Sequence, residues 1–266
     1  MSTEATGRQN RHRQPRAPGE KPSFMEIARG FSVMIGPSLL LDLFAAASTL
    51  AVITGWVVRP KKGFARLLRP LAILGPLLPW AYVLLVRPWH LGWGATNEET
   101  NKSLPGDELV PNPAIESTRA ITVHAPVEEV WPWLAQVGQD RGGFYSNEWL
   151  ENLAGCQMRN ADRIDPEWQH REVGERVFLH PAIGLKVTKF EPGKAIVLEG
   201  WGPFVVEPID EKSTRVILRS RVPRGWVALY YLLAVELPHF IMERRMLNGI
   251  KERAERGADT QITAPS

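Results

Sequence analysis

Short runs of alternating apolar and polar residues fill the middle of the chain, with the two-residue period of β-strands. They lie at residues 118–126, 176–180, 185–190, 195–201, 204–208 and 214–222, and predict six strands. In the first run, Ile121 and Val123 share one face. The last run carries arginine at Arg215, Arg219 and Arg221 on one face, so we expect that face to be mostly solvated.

Helical spacing appears on both sides of these runs. Pro126 is suited to a helix start, and apolar residues follow it at intervals of three and four, namely Val127, Val130, Trp131, Leu134 and Val137. Pro132 should bend this helix. A long helix is predicted over residues 226–256, with a kink or break at Pro238, because proline removes one backbone hydrogen bond. Glu243 is assigned to its solvated face.

A short helix is predicted inside the stretch "GGFYSNEWLENL", residues 142–153. Ser146 or Asn147 can cap it, and a glycine at position 155 can end it. We expect its apolar residues (Trp149, Leu150, Leu153) to point inward and its acids (Glu148, Glu151) to face water. The glycine pair suggests a flexible, aromatic lid or rim of a pocket.

Two long apolar runs precede this region, at residues 38–58 and 64–86. The first has one charge, Asp42, in 21 residues, which is long enough to cross the hydrocarbon layer of a bilayer. Prolines interrupt the second run, and aromatic residues lie near the ends of both runs. We predict two transmembrane helices; the alternative is two buried helices of a soluble protein.

The domain boundaries follow from these patterns. Residues 1–30 form a basic disordered tail, 31–93 the membrane region, 94–117 a linker, 118–256 the folded domain and 257–266 a disordered tail. Five basic residues at 59–69 favour a cytoplasmic loop, whereas the basic tail favours the opposite orientation. We favour the first, which places the domain outside the cytoplasm.

Charge and motifs exclude several functions. Residues 1–94 carry 12 Lys and Arg against 4 Asp and Glu, whereas the remainder carries 20 against 25, so the folded domain is not basic and no nucleic-acid partner is predicted. One cysteine, Cys156, excludes a disulfide framework. Residues typical of metal, nucleotide or nucleophilic sites are missing at the required spacings. We predict no metal and no cofactor.

Five segments carry a family resemblance: "RPWHLGWGATNEE", "LPGDELVPNP", "APVEEVWPWLAQVGQDRGGFYSNEWLENL", "NADRIDPEWQ" and "ERRMLNGIKERAE". From Arg87 to about residue 256 the chain resembles the START-like helix-grip superfamily, also called SRPBCC or polyketide cyclase/dehydrase-like, in a bacterial membrane-anchored branch. The resemblance implies an α+β fold in which a curved antiparallel sheet surrounds a long C-terminal helix and encloses a cavity. That fold usually has seven strands, so a further strand is expected near residues 165–171.

A hydrophobic ligand is expected in that cavity. The predicted wall consists of Trp133, Phe144, Tyr145, Trp149, Asn160, Phe178, Trp201, Phe204, Leu233 and Phe240. These residues also fit an ordinary core. Tyr145 and Asp162 are candidates for an acid–base pair; alternatively, Asp162 belongs to a turn held by its own hydrogen bonds and an ion pair.

Three functions remain open from the sequence. The first is a membrane-tethered domain that binds a lipid or another hydrophobic small molecule. The second is a cyclase- or dehydratase-like enzyme without a cofactor. The third is a non-catalytic interaction protein at the membrane, with its interior filled by its own side chains.

Overall fold

The computed structural model describes residues 81–263, with side-chain environments up to residue 258. The predicted basic tail, the span at 38–58 and most of the span at 64–86 lie outside the described residues. Within residues 81–263, no helix is both long enough and apolar enough to cross a membrane.

One antiparallel sheet of six strands forms the framework. The strands are β1 (Ile115–Val123), β2 (Arg176–His180), β3 (Ile183–Glu191), β4 (Ala195–Leu198), β5 (Gly202–Asp210) and β6 (Ser213–Val222). Their spatial order is β1-β6-β5-β4-β3-β2, so β2 to β6 form a meander and β1 closes onto β6. All six predicted strands are confirmed. The expected strand near residues 165–171 is wrong: Asp165 instead caps a 3₁₀ turn at Pro166–Trp168.

Within the described residues 81–263, six α-helical segments accompany the sheet. They are α1 (Arg87–Leu91), α2 (Asn97–Asn101), α3 (Val127–Ala135), α4 (Glu148–Leu153), α5 (Trp226–Tyr230) and α6 (Glu236–Thr263). Helix α3 begins after Pro126, as predicted, and contains Pro132. Helix α6 continues to Thr263, beyond the expected end at residue 256.

Helices α5 and α6 form one continuous rod, because the π-helical turn at Tyr231–Val235 joins them with helical backbone on both sides. The predicted break at Pro238 is therefore absent. Pro238 has no N–H for the carbonyl of Ala234 four residues earlier, and that carbonyl belongs to the π turn. The hydrogen bond that Pro238 cannot make is thus accommodated one turn before it, in the wider π-helical turn.

The core lies between the inner face of the sheet and α6. Val216 and Leu218 of β6 face Leu247 and Ile250 of the helix, and all four are buried. This is the arrangement of a helix-grip fold, so the predicted class, α+β with an antiparallel sheet around a long C-terminal helix, is confirmed at this level.

The outer face of the sheet is covered, in contrast to our expectation. Arg219 is buried and binds the Asp107 carboxylate at 2.7 Å, as well as the main-chain oxygens of Glu99, Thr100 and Lys102. Arg215 binds Glu99 at 2.6 Å. Residues 94–114 supply these acceptors and pack Leu104 on the same face; they are the part of the predicted linker, 94–117, that precedes β1. The arginine face of β6 is therefore packed against the N-terminal residues 94–114 and is not mostly solvated.

Candidate functional site

The stretch at residues 142–153 starts with a fixed loop. The main chains of Gly138 and Gly143 exchange hydrogen bonds of 3.0 and 2.8 Å, and the side chain of Asn160 accepts from the Tyr145 amide at 2.7 Å. Tyr145 has a φ of 55°, in the left-handed region. Position 249 of α6 is glycine, and a Cβ there would overlap the main-chain oxygen of Tyr145. The loop is therefore clamped against the long helix, in contrast to the flexible lid that the glycines suggested.

The orientation of α4 differs from the predicted one, although Glu148 faces water as expected. Trp149 is 69% exposed and Leu153 is 56% exposed, whereas Glu151 is buried and accepts a 2.6 Å hydrogen bond from Ser146. Burial raises the pKa of Glu151, the Ser146 hydrogen bond lowers it, and nearby Glu148 raises it, with a net shift upward. Trp149 consequently lies outside the wall to which the sequence assigned it.

Aromatic side chains of the predicted wall meet beneath α6. Phe144 stacks on Trp201 with ring centroids 5.6 Å apart, and Phe204 meets Trp201 edge-on at 5.1 Å. Trp133 meets Tyr145 edge-on at 5.6 Å. Trp201 is half-buried, whereas the other four are buried. The structure thus brings five of the ten predicted residues into the core, with Trp201 as the member that reaches solvent.

The remaining residues of the predicted wall lie elsewhere. Leu233 is 42% exposed on the first part of the long helix. Phe240 is buried among Trp89, His90 and Arg119. Phe178 is half-buried near Gly184 across the β2–β3 pair. Asn160 holds the loop through Tyr145 and Ser146.

Tyr145 and Asp162 have different environments. The Tyr145 hydroxyl is buried and donates to the Trp133 carbonyl at 3.0 Å, and burial raises its pKa despite a hydrogen bond with Gln136. The Asp162 side chain is 85% exposed and pairs with Arg253 at 3.2 Å. Arg253 also lies over the Tyr145 ring, with its guanidinium carbon 4.9 Å from the ring centroid. These contacts match the alternative of a turn with an ion pair.

A polar cluster lies beside Trp201, within the interior of the fold. We call it the Glu243 cluster; its members are Glu243, His239, Tyr231, Arg119, Trp201 and Ser220. The Glu243 carboxylate accepts from the Trp201 indole at 2.6 Å and from Ser220 at 3.2 Å, pairs with Arg119, and lies 3.0 Å from His239. Four elements (β1, β6, α6 and the β4–β5 turn) therefore converge on one carboxylate.

The neighbours of Glu243 stabilise its negative charge in the buried position. Burial by itself raises the pKa of a carboxyl, but the charges of His239 and Arg119 and their hydrogen bonds outweigh burial, so the pKa of Glu243 lies well below its usual range. Arg119 is fully buried, and its second terminal nitrogen has no hydrogen-bond partner among the described residues. Glu243 is an anion at neutral pH.

A chain of hydrogen bonds leads away from this carboxylate. The Tyr231 hydroxyl lies 2.7 Å from Nδ1 of His239, whose Nε2 lies 3.0 Å from Glu243. A carboxylate only accepts, so Nε2 carries the proton in its contact with Glu243. The chain Tyr231–His239–Glu243 therefore places an imidazole nitrogen, Nδ1, beside a tyrosine hydroxyl.

A second buried carboxylate lies two turns earlier on the same helix. Glu236 binds Arg87 through two hydrogen bonds of 2.8 and 2.9 Å and lies 3.5 Å from His90. Desolvation lowers the pKa of His90, against the opposing effect of Glu236, and Nδ1 of His90 has no partner among residues 81–263. Helix α1 thus contributes to the same interior as the sheet.

Our sequence interpretation missed Glu236 and Glu243 because acids on a long helix usually face water. The signal was their position: Glu236 and Glu243 continue the stripe that Phe240, Leu247 and Ile250 define, at steps of three and four. Arg119 gives a similar signal, because it shares the β1 face of Ile121 and Val123. A cation and an anion placed on two core-facing stripes indicate a buried pair.

Two further features of the described residues bear on possible sites. An open surface pocket of about 500 Å³ is lined by Arg141, Arg159, Asn160, Asp162, Arg163 and Trp168, among others. Burial raises the pKa of the Cys156 thiol to about 12, and Glu151 adds to this effect, so Cys156 is a poor nucleophile at neutral pH.

No protein-family model matches the chain, and no curated protein matches it. Among solved structures, the chain is similar to a polyketide-cyclase-like protein from Corynebacterium glutamicum, determined by solution NMR. The two sequences are 17% identical, the match covers 56% of this chain and 93% of the other, and the TM-score is 0.28. A structural similarity this weak gives no information about a ligand or a reaction.

Proposed function

We propose that this chain is a membrane-tethered helix-grip protein of the START-like type, which binds a lipid or another hydrophobic small molecule between its sheet and its long helix. The tether is the pair of apolar runs at residues 38–58 and 64–86. The binding site is the junction of the aromatic wall and the Glu243 cluster.

The observation that carries this proposal is the position of Trp201. Its ring touches Phe144, Phe204 and His239, and its indole N–H donates to Glu243. Apolar walls with a few converging polar groups are typical of small-molecule sites. Since Trp201 is half-buried, it is the wall residue that can turn outward and admit a ligand from the surface.

The chemistry of the junction defines the expected ligand. Rings and aliphatic side chains supply most of the contact surface, so the ligand is largely apolar. Its polar end would meet Ser220, His239 and the edge of Trp201, which offer hydrogen bonds in place of those that Glu243 now receives. A long unbranched or ring-bearing molecule with one hydroxyl or carbonyl group fits this pattern.

The test is native mass spectrometry of the full chain released from detergent micelles, followed by organic extraction of what it retains. We expect one apolar small molecule per chain. Trp201→Ala should reduce retention at least tenfold, because it removes the ring contacts and one polar contact. Trp149→Ala is the matched control, since Trp149 is exposed on α4.

Two results would contradict the proposal. One is a wild-type chain that carries nothing and takes up nothing from a mixed lipid extract. The other is equal retention by the Trp201 and Trp149 variants. A chain that carries nothing would favour the third function, an interaction protein whose interior is permanently filled, whereas equal retention by the two variants would place any bound molecule away from Trp201.

A second candidate function is acid–base chemistry on the bound molecule, of the cyclase or dehydratase type. The hydrogen-bonded chain Tyr231–His239–Glu243 favours it, and it takes the place of the Tyr145–Asp162 pair. Once the ligand is identified, incubation with wild type and with His239→Asn separates the two functions. Conversion by wild type alone would support an enzyme, and unchanged ligand in both samples would support a carrier.

A further inference from the structure

The two helices that enter the fold at one end run parallel. Arg87 pairs with Glu236, Trp89 meets Phe240, and His90 lies against both Glu236 and Phe240. Residue numbers in the two helices therefore keep a nearly constant offset. Consequently, residues 82–86 lie at the same level as residues 231–235, and both stretches form π-helical turns.

Both helices are apolar and exposed before the Arg87–Glu236 pair. We call this surface the apolar end; it consists of Val83, Leu84, Leu85, Val86, Trp89, Trp226, Val227, Leu229, Tyr230, Leu232 and Leu233, all exposed. Soluble monomers rarely expose an apolar surface of this extent. Residues 226–235, "WVALYYLLAV", contain no charge.

The positions of the exposed residues around the helix axis indicate what covers this surface. At about 100° per α-helical residue, and less in the π turn, the exposed positions from Trp226 to Leu233 are distributed over more than half of the helix circumference. A protein groove would cover one face of such a helix, whereas lipid can surround it. Arg224, the nearest charge before this stretch, donates to the Asn112 carbonyl and so is directed away from Trp226.

The course of the chain also indicates that lipid covers this surface. The π-helical turn at Tyr82–Val86, directly before helix α1, is the last part of the apolar run at residues 64–86, which begins upstream of the described residues. On both helices the first charged residue is a member of the Arg87–Glu236 pair. That pair therefore marks one level at which two apolar stretches end together, as expected at a membrane boundary.

We propose that the apolar end is embedded in the lipid bilayer, so that residues 226–235 of the folded domain lie in the acyl layer beside residues 82–86. Ten helical residues span about 15 Å, about half of a hydrocarbon core, so this segment enters the membrane without crossing it. Tyr231, a member of the Glu243 cluster, then lies within the segment that contacts lipid. The inference goes beyond the proposed function, because it assigns a bilayer-contact surface to the domain itself.

The experiment places single spin labels on the full chain in phosphatidylcholine vesicles, with Cys156 replaced by Ser. Labels at Leu229→Cys and Leu232→Cys probe the apolar end, and Lys212→Cys in the β5–β6 turn is the water-exposed control. We expect the ratio of collision rates with oxygen and with a water-soluble nickel chelate to be severalfold higher at 229 and 232 than at 212.

Two outcomes would overturn this inference. A ratio at 229 and 232 equal to that at 212 would place the apolar end in water. Low collision rates with both reagents would show that protein covers it, either a second copy or residues 38–80. Carbonate extraction of the same vesicles tests the tether, and the retention assay tests ligand binding, so failure of either is distinguishable from failure of this inference.

Discussion

Burial of the Glu243 carboxylate is unfavourable by itself, but the buried Arg119 requires it as a partner. Removing its charge would leave Arg119 as an unpaired cation in the interior, since both side chains are almost fully buried. Breaking such a pair by removing one partner typically costs about 3–5 kcal/mol, because the other charge stays buried without compensation. The carboxylate also fixes the Trp201 indole and His239, so its loss would loosen the proposed binding junction.

We expect Glu243→Gln to lower the free energy of unfolding by about 3 kcal/mol at pH 7. The pKa of Glu243 is lower in the folded than in the unfolded state. Its contribution is therefore complete above the unfolded value of about 4.3 and is lost as the pH falls toward the folded value. Denaturant midpoints at pH 7, 5 and 3 should show the difference between wild type and variant shrinking at acid pH.

Glu211→Gln is the control for this prediction, because Glu211 is exposed in the β5–β6 turn. It should leave the midpoint unchanged at all three pH values. A Glu243→Gln variant that matches wild type at pH 7 would show that the buried pair contributes no net stability.

The contact between the loop at residues 138–146 and α6 depends on one missing side chain. Gly249 allows the Tyr145 main chain to lie directly against the helix. Elsewhere on the same helix, a Cβ at Gly257 would lie 3.2 Å from the end of the Glu129 side chain, which can move. Two glycines in one helix therefore have different structural roles.

We expect Gly249→Ala to destabilise the protein by about 2 kcal/mol or more, because the new methyl group must displace main chain. Gly257→Ala should be neutral or stabilising by up to about 1 kcal/mol, since alanine is the better helix former. Thermal unfolding followed by tryptophan fluorescence measures both. Equal effects of the two substitutions would mean that the loop is not held in the clamped position.

Helix α1 makes the region before the sheet part of the domain rather than an appendage. Its Arg87 neutralises the buried Glu236, and its His90 carbonyl accepts from Arg119 at 3.0 Å. Residues 94–114 then cover the outer face of the sheet. The chain between the predicted membrane region and β1 is thus packed along most of its length, which couples the orientation of the domain to the direction in which α1 enters it.

We expect Arg87→Ala to lower the melting temperature of the full chain in detergent, with a cost of about 3 kcal/mol, because Glu236 stays buried without its main partner. Adding Glu236→Leu should restore most of the loss. Arg245→Ala is the matched arginine control: its pair with Glu252 is half exposed and contributes under about 1 kcal/mol. Additive losses in the double variant would contradict this coupling of α1 and α6.

The sequence alone determined the strands and the α+β class, because alternation and helical spacing are local properties that each segment carries by itself. The strand at 176–180 was predicted at its observed ends, and the aromatic wall was half identified from composition and order. The sequence predicts helix geometry less well where proline interrupts a helix. The π turn before Pro238, for example, depends on which main-chain carbonyls the surrounding helix leaves without a hydrogen bond.

Only the tertiary structure decided which polar residues are inside. Trp149 and Glu151 exchange the positions predicted for them, and the arginines of β6 are covered, because the surroundings of each face are supplied by segments distant in sequence. Glu243 and Arg119 lie 124 residues apart along the chain. A buried charge is stable only beside its partner, and the fold determines that proximity.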